Sequence, residues 1–124
     1  TSHGEEKRVL VVDDDRAVRD SLKFSLELEG FQVETYASGS QLFCNGALAG
    51  ADCLVLDLKM PGMDGFGVMS QLHARLVVIP VILITAPVTE ALRARARDAG
   101  LFQVLEKPLL GGALQDNIRQ ALGA

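Results

Sequence analysis

The sequence predicts an α/β protein in which a parallel sheet is covered by helices on both faces, and two observations support this prediction. Short apolar runs of strand length alternate with longer segments that carry apolar residues at helical spacing. Runs without charge are typical of strands that are buried on both faces of a sheet. Five such strand and helix units favour the flavodoxin-like doubly wound fold, with strand order 2-1-3-4-5.

The elements can be placed along the chain from these patterns. Strands are predicted at residues 8–12, 31–36, 53–57, 80–84 and 102–105. Helices are predicted at residues 16–29, 38–48, 63–75 and 89–99, and a fifth around residues 114–122. The second strand alternates apolar and polar residues, which indicates an edge strand with one wet face.

Capping residues mark the boundaries of the first helix, and apolar spacing indicates its core face. Asp15 is a plausible N-cap and Gly30 a plausible stop. Val18, Leu22 and Leu26 recur every four residues and indicate the core face, with Phe24 and Leu28 beside them. In the same way, Ser38 can cap the second helix and Gly100 can end the fourth.

Composition limits the class of protein. The 124 residues suggest one domain, and the hydrophobic fraction of 48% is enough for a core. The net charge of −4 argues against a nucleic-acid groove on this domain, and no apolar run can span a membrane. Cys44 and Cys53 form neither a zinc site nor a disulfide framework, and are expected to be buried free thiols in a reducing cytoplasm. We expect residues 1–6 to be a disordered tail or a cloning remnant, before a domain at 7–124.

Carboxylates follow two strands that this strand order makes neighbours. Asp57 ends the buried third strand just before a Met-Pro-Gly-Met-Asp-Gly turn, and Asp13, Asp14 and Asp15 follow the first strand. The carboxyl ends of parallel strands meet at one edge of the sheet, where open α/β folds place their chemistry. Crowded carboxylates need a cation or shared protons. Oxygen ligands without histidine or thiolate suit Mg²⁺, or alternatively Mn²⁺.

The fourth and fifth strands bring complementary groups to the same edge. Thr85 ends the fourth strand, Lys107 follows the fifth, and Ala86 is small enough to leave room for an incoming group. A hydroxyl donor and a cation beside a metal-bound carboxylate form a clamp for a phosphoryl group. The residues therefore predict phosphoryl chemistry with Asp57 as the accepting nucleophile.

These residues also allow other interpretations. Asp15 is better explained as a helix cap than as a ligand, and Lys107 with Asp57 could be a structural ion pair. A haloacid-dehalogenase type of enzyme needs a second aspartate two residues after the first, where this chain has Lys59. A flavin or dinucleotide site needs a phosphate loop after the first strand, where aspartates would repel phosphate.

The motifs VVDDD, LDLKMPGMDG, ITA and EKP occur in this order and spacing. With them the chain resembles the receiver domain of bacterial two-component response regulators from about residue 7 to residue 121. The resemblance implies that Asp57 accepts a phosphoryl group from a phosphohistidine of a sensor histidine kinase. It also implies that Asp14, Asp57 and the backbone carbonyl of Lys59 bind Mg²⁺, with Asp13 acting through a water. Such a receiver is not an enzyme in the usual sense, since it catalyses only its own phosphotransfer and dephosphorylation.

The resemblance gives Lys107 and Thr85 the role of binding phosphoryl oxygens. In the family the threonine moves toward the phosphoryl group and reshapes the face made by the fourth helix, fifth strand and fifth helix. Most members carry an aromatic residue three positions before the lysine, where this chain has Val104. Phe102 lies nearby but is not expected to reach the same pocket. Coupling to the output is therefore expected to rely on Thr85, the fourth helix and dimer packing.

Partners follow from the same resemblance. The chain is similar to FixJ-like receivers, which precede DNA-binding domains, so a transcriptional effector domain is expected outside this chain. A homodimer through the fourth helix, fifth strand and fifth helix is possible. Arg93 and Arg97 share one face of that helix and Arg95 lies nearly opposite, either as solvated charges or as interchain ion pairs. The alternative is a degenerate receiver that acts as a phosphorylation-independent interaction module.

Overall fold

The computed structural model describes residues 6–44 and 46–123. Within them the strands are β1 (Arg8–Val12), β2 (Gln32–Tyr36), β3 (Cys53–Asp57), β4 (Val81–Thr85) and β5 (Gln103–Glu106). The helices are α1 (Arg16–Leu28), α2 (Gly39–Cys44), α3 (Gly65–Ala74), α4 (Glu90–Asp98) and α5 (Ala113–Ala121). The predicted tail falls on residues 1–5, which lie outside the described residues, and on Glu6. The Glu6 carboxylate accepts a hydrogen bond from Gln32 Nε2 at 3.1 Å.

The strands pair in parallel in the order β2-β1-β3-β4-β5, which confirms the predicted topology. The switch point lies between β1 and β3, where Val12 pairs with Leu56. On the other side of β3, Asp57 pairs with Ile84 of β4. β3 and β4 are buried at every position, whereas β2 at the sheet edge is exposed at alternate residues near its start.

Successive strand residues point to opposite faces, so the sheet separates two apolar clusters. Leu10, Leu54 and Leu83 belong to the cluster that packs against α2, α3 and α4. Val9 and Ile82 belong to the cluster under α1 and α5. Because both faces are covered, the strands need uninterrupted apolar sequences, and this explains why the sequence pattern identified them.

Capping groups set several helix boundaries. Asp15 caps α1 as predicted, since its carboxylate accepts hydrogen bonds from the backbone N–H groups of Ala17 and Val18. The predicted start of α3 at residue 63 is wrong by two residues. Asp64 is the N-cap, accepting from the Gly67 N–H, and the preceding turn requires Gly62 at a φ of 77°. α2 ends at Cys44 rather than near residue 48, and residues 46–50 form turns.

Two apolar residues of α1 lie outside the core, and the expected burial of Cys44 is wrong. Phe24 and Leu28 are 68% and 71% exposed, because they lie on the side of α1 that points away from the sheet. Cys53 is buried but Cys44 is exposed at the end of α2, and both are free thiols.

Among the helices of the described residues, none is both long and apolar enough to cross a membrane.

Candidate functional site

Asp57 lies at the centre of the candidate site. It is the last residue of β3, and only 3% of its surface is exposed. The strand runs without interruption through apolar residues to this carboxylate, and the chain then turns away through Pro61 and Gly62. The sheet thus fixes the backbone of Asp57 while its side chain reaches the cavity at the sheet edge.

Two further carboxylates come from the loop after β1. Asp13 is fully buried, Asp14 is exposed, and each can offer an oxygen that lies within 4.8 Å of one from Asp57. The Asp13 side chain is held from two directions. Its Oδ1 accepts the N–H of Asp15 at 2.9 Å, and its Oδ2 accepts from Lys107.

Lys107 bridges the two buried carboxylates. Its Nζ lies 3.2 Å from Asp13 Oδ2 and 3.3 Å from Asp57 Oδ1. The backbone N–H of Lys107 donates to the carbonyl of Thr85 at 2.8 Å, which ties the end of β5 to the end of β4. The ammonium therefore reaches the carboxylates from a fixed position on the sheet.

Thr85 contributes a polar atom whose hydrogen-bonding needs are not met. The residue is 1% exposed, and its Oγ1 is buried without a hydrogen-bond partner among the described residues. Burying a hydroxyl without a partner costs free energy, so such groups often serve a ligand. Thr85 lines the same cavity of about 220 Å³ as Asp57 and Lys107.

Burial and repulsion raise the pKa of Asp57. Removal from water is the largest cause, the nearby Asp13 carboxylate adds to it, and the Lys107 ammonium opposes both. For Lys107, burial lowers the pKa, but its contacts with Asp13 and Asp57 outweigh this effect and raise the pKa overall. One ammonium is thus insufficient to neutralise the buried carboxylates, so the site favours an additional cation.

Lys59 and Ala86 meet at the mouth of the cavity. The Lys59 Nζ donates a hydrogen bond of 2.5 Å to the carbonyl oxygen of Ala86. Two residues further along this loop, the N–H of Val88 donates to the Glu106 carboxylate at 3.2 Å. The loop that follows Thr85 is therefore held by side chains from both neighbouring strand ends.

The donor set fits a hard divalent cation. Asp13, Asp14 and Asp57 offer only carboxylate oxygens, and no histidine or cysteine belongs to this cluster of described residues. Magnesium prefers such oxygens and commonly takes two carboxylates while keeping several waters. The exposed position of Asp14 leaves one side of the cluster open to solvent.

The structure brings together every residue that the sequence placed in the site. The cavity is lined by Asp13, Asp14, Asp15, Asp57, Lys59, Thr85, Ala86 and Lys107. Sequence reasoning missed the contact that Glu106 makes with the β4–α4 loop, although Glu106 stands in the EKP motif. It also missed Gly65, where a Cβ would lie 3.0 Å from the Leu58 Cα and 3.1 Å from the Asp57 carbonyl oxygen. The short distance in sequence between Gly65 and Asp57 could have indicated that the two residues lie close together.

Comparisons with known proteins define the class of this chain. Its fold matches the structure of FixJ-N with a TM-score of 0.82 and 30% identity, covering 96% of this chain and 95% of the other. The sequence profile described as "Response regulator receiver domain" matches residues 9–119. The chain therefore belongs to the response regulator receiver domain family.

Two curated relatives show the setting in which such domains occur. The chain is 37% identical over 117 residues to the C4-dicarboxylate transport transcriptional regulatory protein DctD of Pseudomonas aeruginosa, covering 94% of this chain and 25% of DctD. It is 42% identical over 101 residues to the response regulator MprA of Mycobacterium avium, covering 82% and 44%. The chain thus spans between a quarter and a half of the length of these relatives.

Proposed function

We propose that this chain is a phospho-accepting receiver unit in which Asp57 is the phosphoryl acceptor and a sensor histidine kinase is the donor. The observation that carries the proposal is the unpartnered Thr85 hydroxyl, which is buried in the cavity that holds Asp57 and Lys107. A phosphoryl oxygen would supply the missing partner. We assign the receiver to residues 7–124 and its setting to the cytoplasm, where its kinase and effector would be found.

The side chains have distinct roles in this proposal. Asp13, Asp14, Asp57 and the backbone carbonyl of Lys59 would hold Mg²⁺, with Asp13 acting through an intervening water. When bound, Mg²⁺ supplies positive charge that offsets the phosphoryl oxygens and the crowded carboxylates. Mn²⁺ has the same preference for oxygen ligands and would substitute.

The transfer requires little covalent chemistry from the protein. An Asp57 carboxylate oxygen forms a bond to phosphorus while the bond between phosphorus and the donor imidazole nitrogen breaks, and the electron pair of that bond stays on the nitrogen. Lys107 would turn from carboxylate toward phosphoryl oxygens, and Thr85 would donate its hydroxyl hydrogen to one of them. Ala86 has only a methyl group and leaves the entering group room. Catalysis in such reactions consists mainly of positioning and charge stabilisation.

An apolar groove beside Lys107 indicates where the donor would dock. The groove has a volume of about 510 Å³ and lies between α1 and the chain after β5, lined by Ala17, Val18, Ser21, Leu22, Lys107, Pro108 and Leu109. Because Lys107 is shared between the groove and the Asp57 cavity, a helix in the groove would hold a phosphohistidine close to Asp57. We assign this groove to the histidine-bearing helix of the sensor kinase.

The output face is assigned to α4, β5 and α5. Arg93 and Arg97 line a recess with the half-exposed Phe102, whereas Arg95 lies over the Phe66 ring at 3.9 Å. This separation agrees with the helical spacing noted in the sequence. The exposed arginines and Phe102 suit a homodimer contact that would control an effector domain, consistent with the transcriptional regulators among the relatives.

The central experiment is intact mass spectrometry after incubation with Mg²⁺ and acetyl phosphate. One added phosphoryl group is expected in the wild-type chain, none in the Asp57→Asn variant, and none with a chelator. A Lys7→Met variant serves as the control for surface substitution. An adduct that persists in Asp57→Asn would assign the acceptor to another residue.

The alternative of a degenerate interaction module has its own test. If no adduct forms, binding of beryllofluoride with Mg²⁺ separates a short-lived phosphoryl group from an inert site. A chain that binds neither, while still forming a stable complex with its partner, would be the phosphorylation-independent module.

Val104 is buried in the cluster under α4, at the position where most family members carry an aromatic ring. We expect Val104→Ala to leave phosphorylation-dependent association unchanged, as measured by light scattering. If this variant folds but no longer associates on phosphorylation, the signal does pass through Val104.

A further inference from the structure

We propose that Lys59 is a positioning residue that couples the state of Asp57 to the β4–α4 loop, by exchanging its hydrogen bond to the Ala86 carbonyl for one to the phosphoryl group. This inference rests on the proposed function. It assigns the lysine side chain a role separate from that of its backbone carbonyl in the metal site.

The loop at residues 86–89 joins the cavity to α4 and lies outside the described sheet. Thr85 pairs with Glu106 in the sheet, and α4 begins after its N-cap Thr89, whose side chain accepts the N–H of Leu92. Between these points two side chains donate or accept hydrogen bonds with the backbone of the loop. Lys59 binds the Ala86 carbonyl and Glu106 binds the Val88 N–H.

Of these two contacts, the one from Lys59 is placed to respond to a phosphoryl group. Lys59 and Ala86 both line the cavity that contains Asp57, whereas neither Glu106 nor Val88 does. The Lys59 side chain is exposed and flexible, so its ammonium can turn inward without a packing cost. Its present acceptor is a neutral carbonyl oxygen.

A phosphoryl group on Asp57 brings a stronger acceptor into the same cavity. The bond to Ala86 already has a charged donor, but its acceptor is a neutral carbonyl, whereas a phosphoryl oxygen carries negative charge and attracts the ammonium more strongly. The Lys59 ammonium therefore leaves Ala86, and the loop loses one of its two side-chain hydrogen bonds. The same event frees the chain that follows Thr85 to shift as Thr85 approaches the phosphoryl group.

This route explains how the chain can respond without the usual aromatic ring. Val104 has no polar end and few rotamers, and it is already buried under α4. A lysine that spans the cavity mouth acts on the loop directly from the β3 side. The mechanism is a local exchange of hydrogen bonds that biases a two-state loop.

The test compares amide chemical shifts of the wild-type chain and Lys59→Met, each at rest and with Mg²⁺ and beryllofluoride. Leu92 and Val104 report on α4 and β5, away from the substituted side chain. In resting Lys59→Met, their amides are expected to lie partway along the wild-type displacement toward the beryllofluoride-bound position. The hydrogen bond between Lys59 and Ala86 is the tether of the loop. Its loss is expected to change the ratio of the released to the held loop conformation about fivefold, equivalent to about 1 kcal/mol.

Two controls separate the tether from other effects. Lys59→Arg keeps a cation and a donor, so its resting amides are expected at the wild-type positions. Lys7→Met removes a surface lysine far from the cavity and is expected to change neither amide. The proposal is overturned if the resting amides of Leu92 and Val104 in Lys59→Met coincide with wild type, whether or not that variant binds beryllofluoride.

Failure of the proposed function would look different. In that case the wild-type chain itself would show no adduct by mass and no amide displacement with beryllofluoride. A normal wild-type response, combined with an unchanged resting spectrum of Lys59→Met, would overturn only the tether.

Discussion

At the scale of single residues, the site combines groups that are individually unfavourable in the folded chain. Asp57 and Asp13 are buried beside each other with one shared ammonium, and the Thr85 hydroxyl has no hydrogen-bond partner among the described residues. Each feature costs stability in the resting protein and would be relieved by the proposed cation or phosphoryl group. This is the pattern expected where a site is arranged for a ligand and not for the stability of the fold.

The raised pKa of Asp57 gives a prediction about stability and pH. The folded chain binds the Asp57 proton more tightly than the unfolded chain, so the ionised carboxylate destabilises the fold at pH values above its ordinary pKa of 3.8. In the presence of a chelator, Asp57→Asn is expected to raise the free energy of unfolding at neutral pH. Urea denaturation is the measurement.

The sign of this effect can be checked in the same experiment. The advantage of Asp57→Asn should shrink as the pH falls through the raised pKa toward 3.8, because both side chains are then uncharged. If Asp57→Asn is instead less stable than wild type at neutral pH, the ion pair with Lys107 outweighs burial and the repulsion from Asp13.

The two thiols are expected to differ sharply in reactivity. Burial raises the pKa of the Cys53 thiol to about 12, whereas Cys44 is exposed. The thiolate is the reactive form, so only Cys44 should react with a thiol reagent in the folded protein. Colorimetric titration should count one thiol in buffer and two in denaturant, and Cys44→Ser should abolish the native reaction.

At the scale of elements, the close approach of α3 to β3 positions the acceptor strand. A Cβ on Gly65 would meet Leu83 Cδ1 at 2.9 Å and the backbone of Leu58 at 3.0 Å. The first turn of α3 therefore lies directly against the end of β3, and backbone atoms cannot yield as a flexible side chain can. Only glycine permits this distance.

Gly65→Ala is accordingly expected to lower the free energy of unfolding by about 1–3 kcal/mol through overpacking. Gly67→Ala in the same helix is the matched control, because its Cβ would meet a side-chain atom, Met63 Cγ at 2.8 Å, and no backbone atom. A side chain can shift where backbone cannot, and the higher helix propensity of alanine offsets part of the contact, so a smaller loss is expected. Denaturant unfolding of both variants is the measurement, and equal losses would contradict a special role for the backbone contact at Gly65.

At the scale of the whole molecule, the sheet with its two covered faces holds the strand ends at a common edge. Four of the five strands deliver side chains to that edge, and the apolar clusters on both faces fix their backbones. Any ligand that binds the folded site but not the unfolded chain must then stabilise the entire domain.

Magnesium is therefore expected to raise the melting temperature of the chain. At a concentration one hundred times the dissociation constant, the gain in free energy of unfolding is about 2.7 kcal/mol. Asp14→Asn is the suitable variant, because Asp14 is exposed and its replacement leaves the core intact. Calorimetry should show a magnesium-dependent shift in wild type that a chelator reverses and that Asp14→Asn reduces. An equal shift in both proteins would place the ion elsewhere.

The sequence by itself was sufficient for the order of the elements and for the set of residues that line the candidate cavity. The uninterrupted apolar runs at β1, β3 and β4 are typical of strands buried on both faces, and the doubly wound order brings their carboxyl ends together. Asp13, Asp57 and Thr85 each stand directly after or at the end of such a run, and Lys107 directly follows β5. Their convergence therefore follows from the topology.

Only the tertiary structure decided the contacts between loops and the burial of individual side chains. Helical spacing groups Phe24 and Leu28 with apolar neighbours, but which side of α1 faces the sheet depends on packing. Lys59 reaches Ala86 and Glu106 reaches Val88 across large separations in the chain, where no local pattern records the distance. Local periodicity determines elements, whereas contacts between loops arise only after the elements have packed.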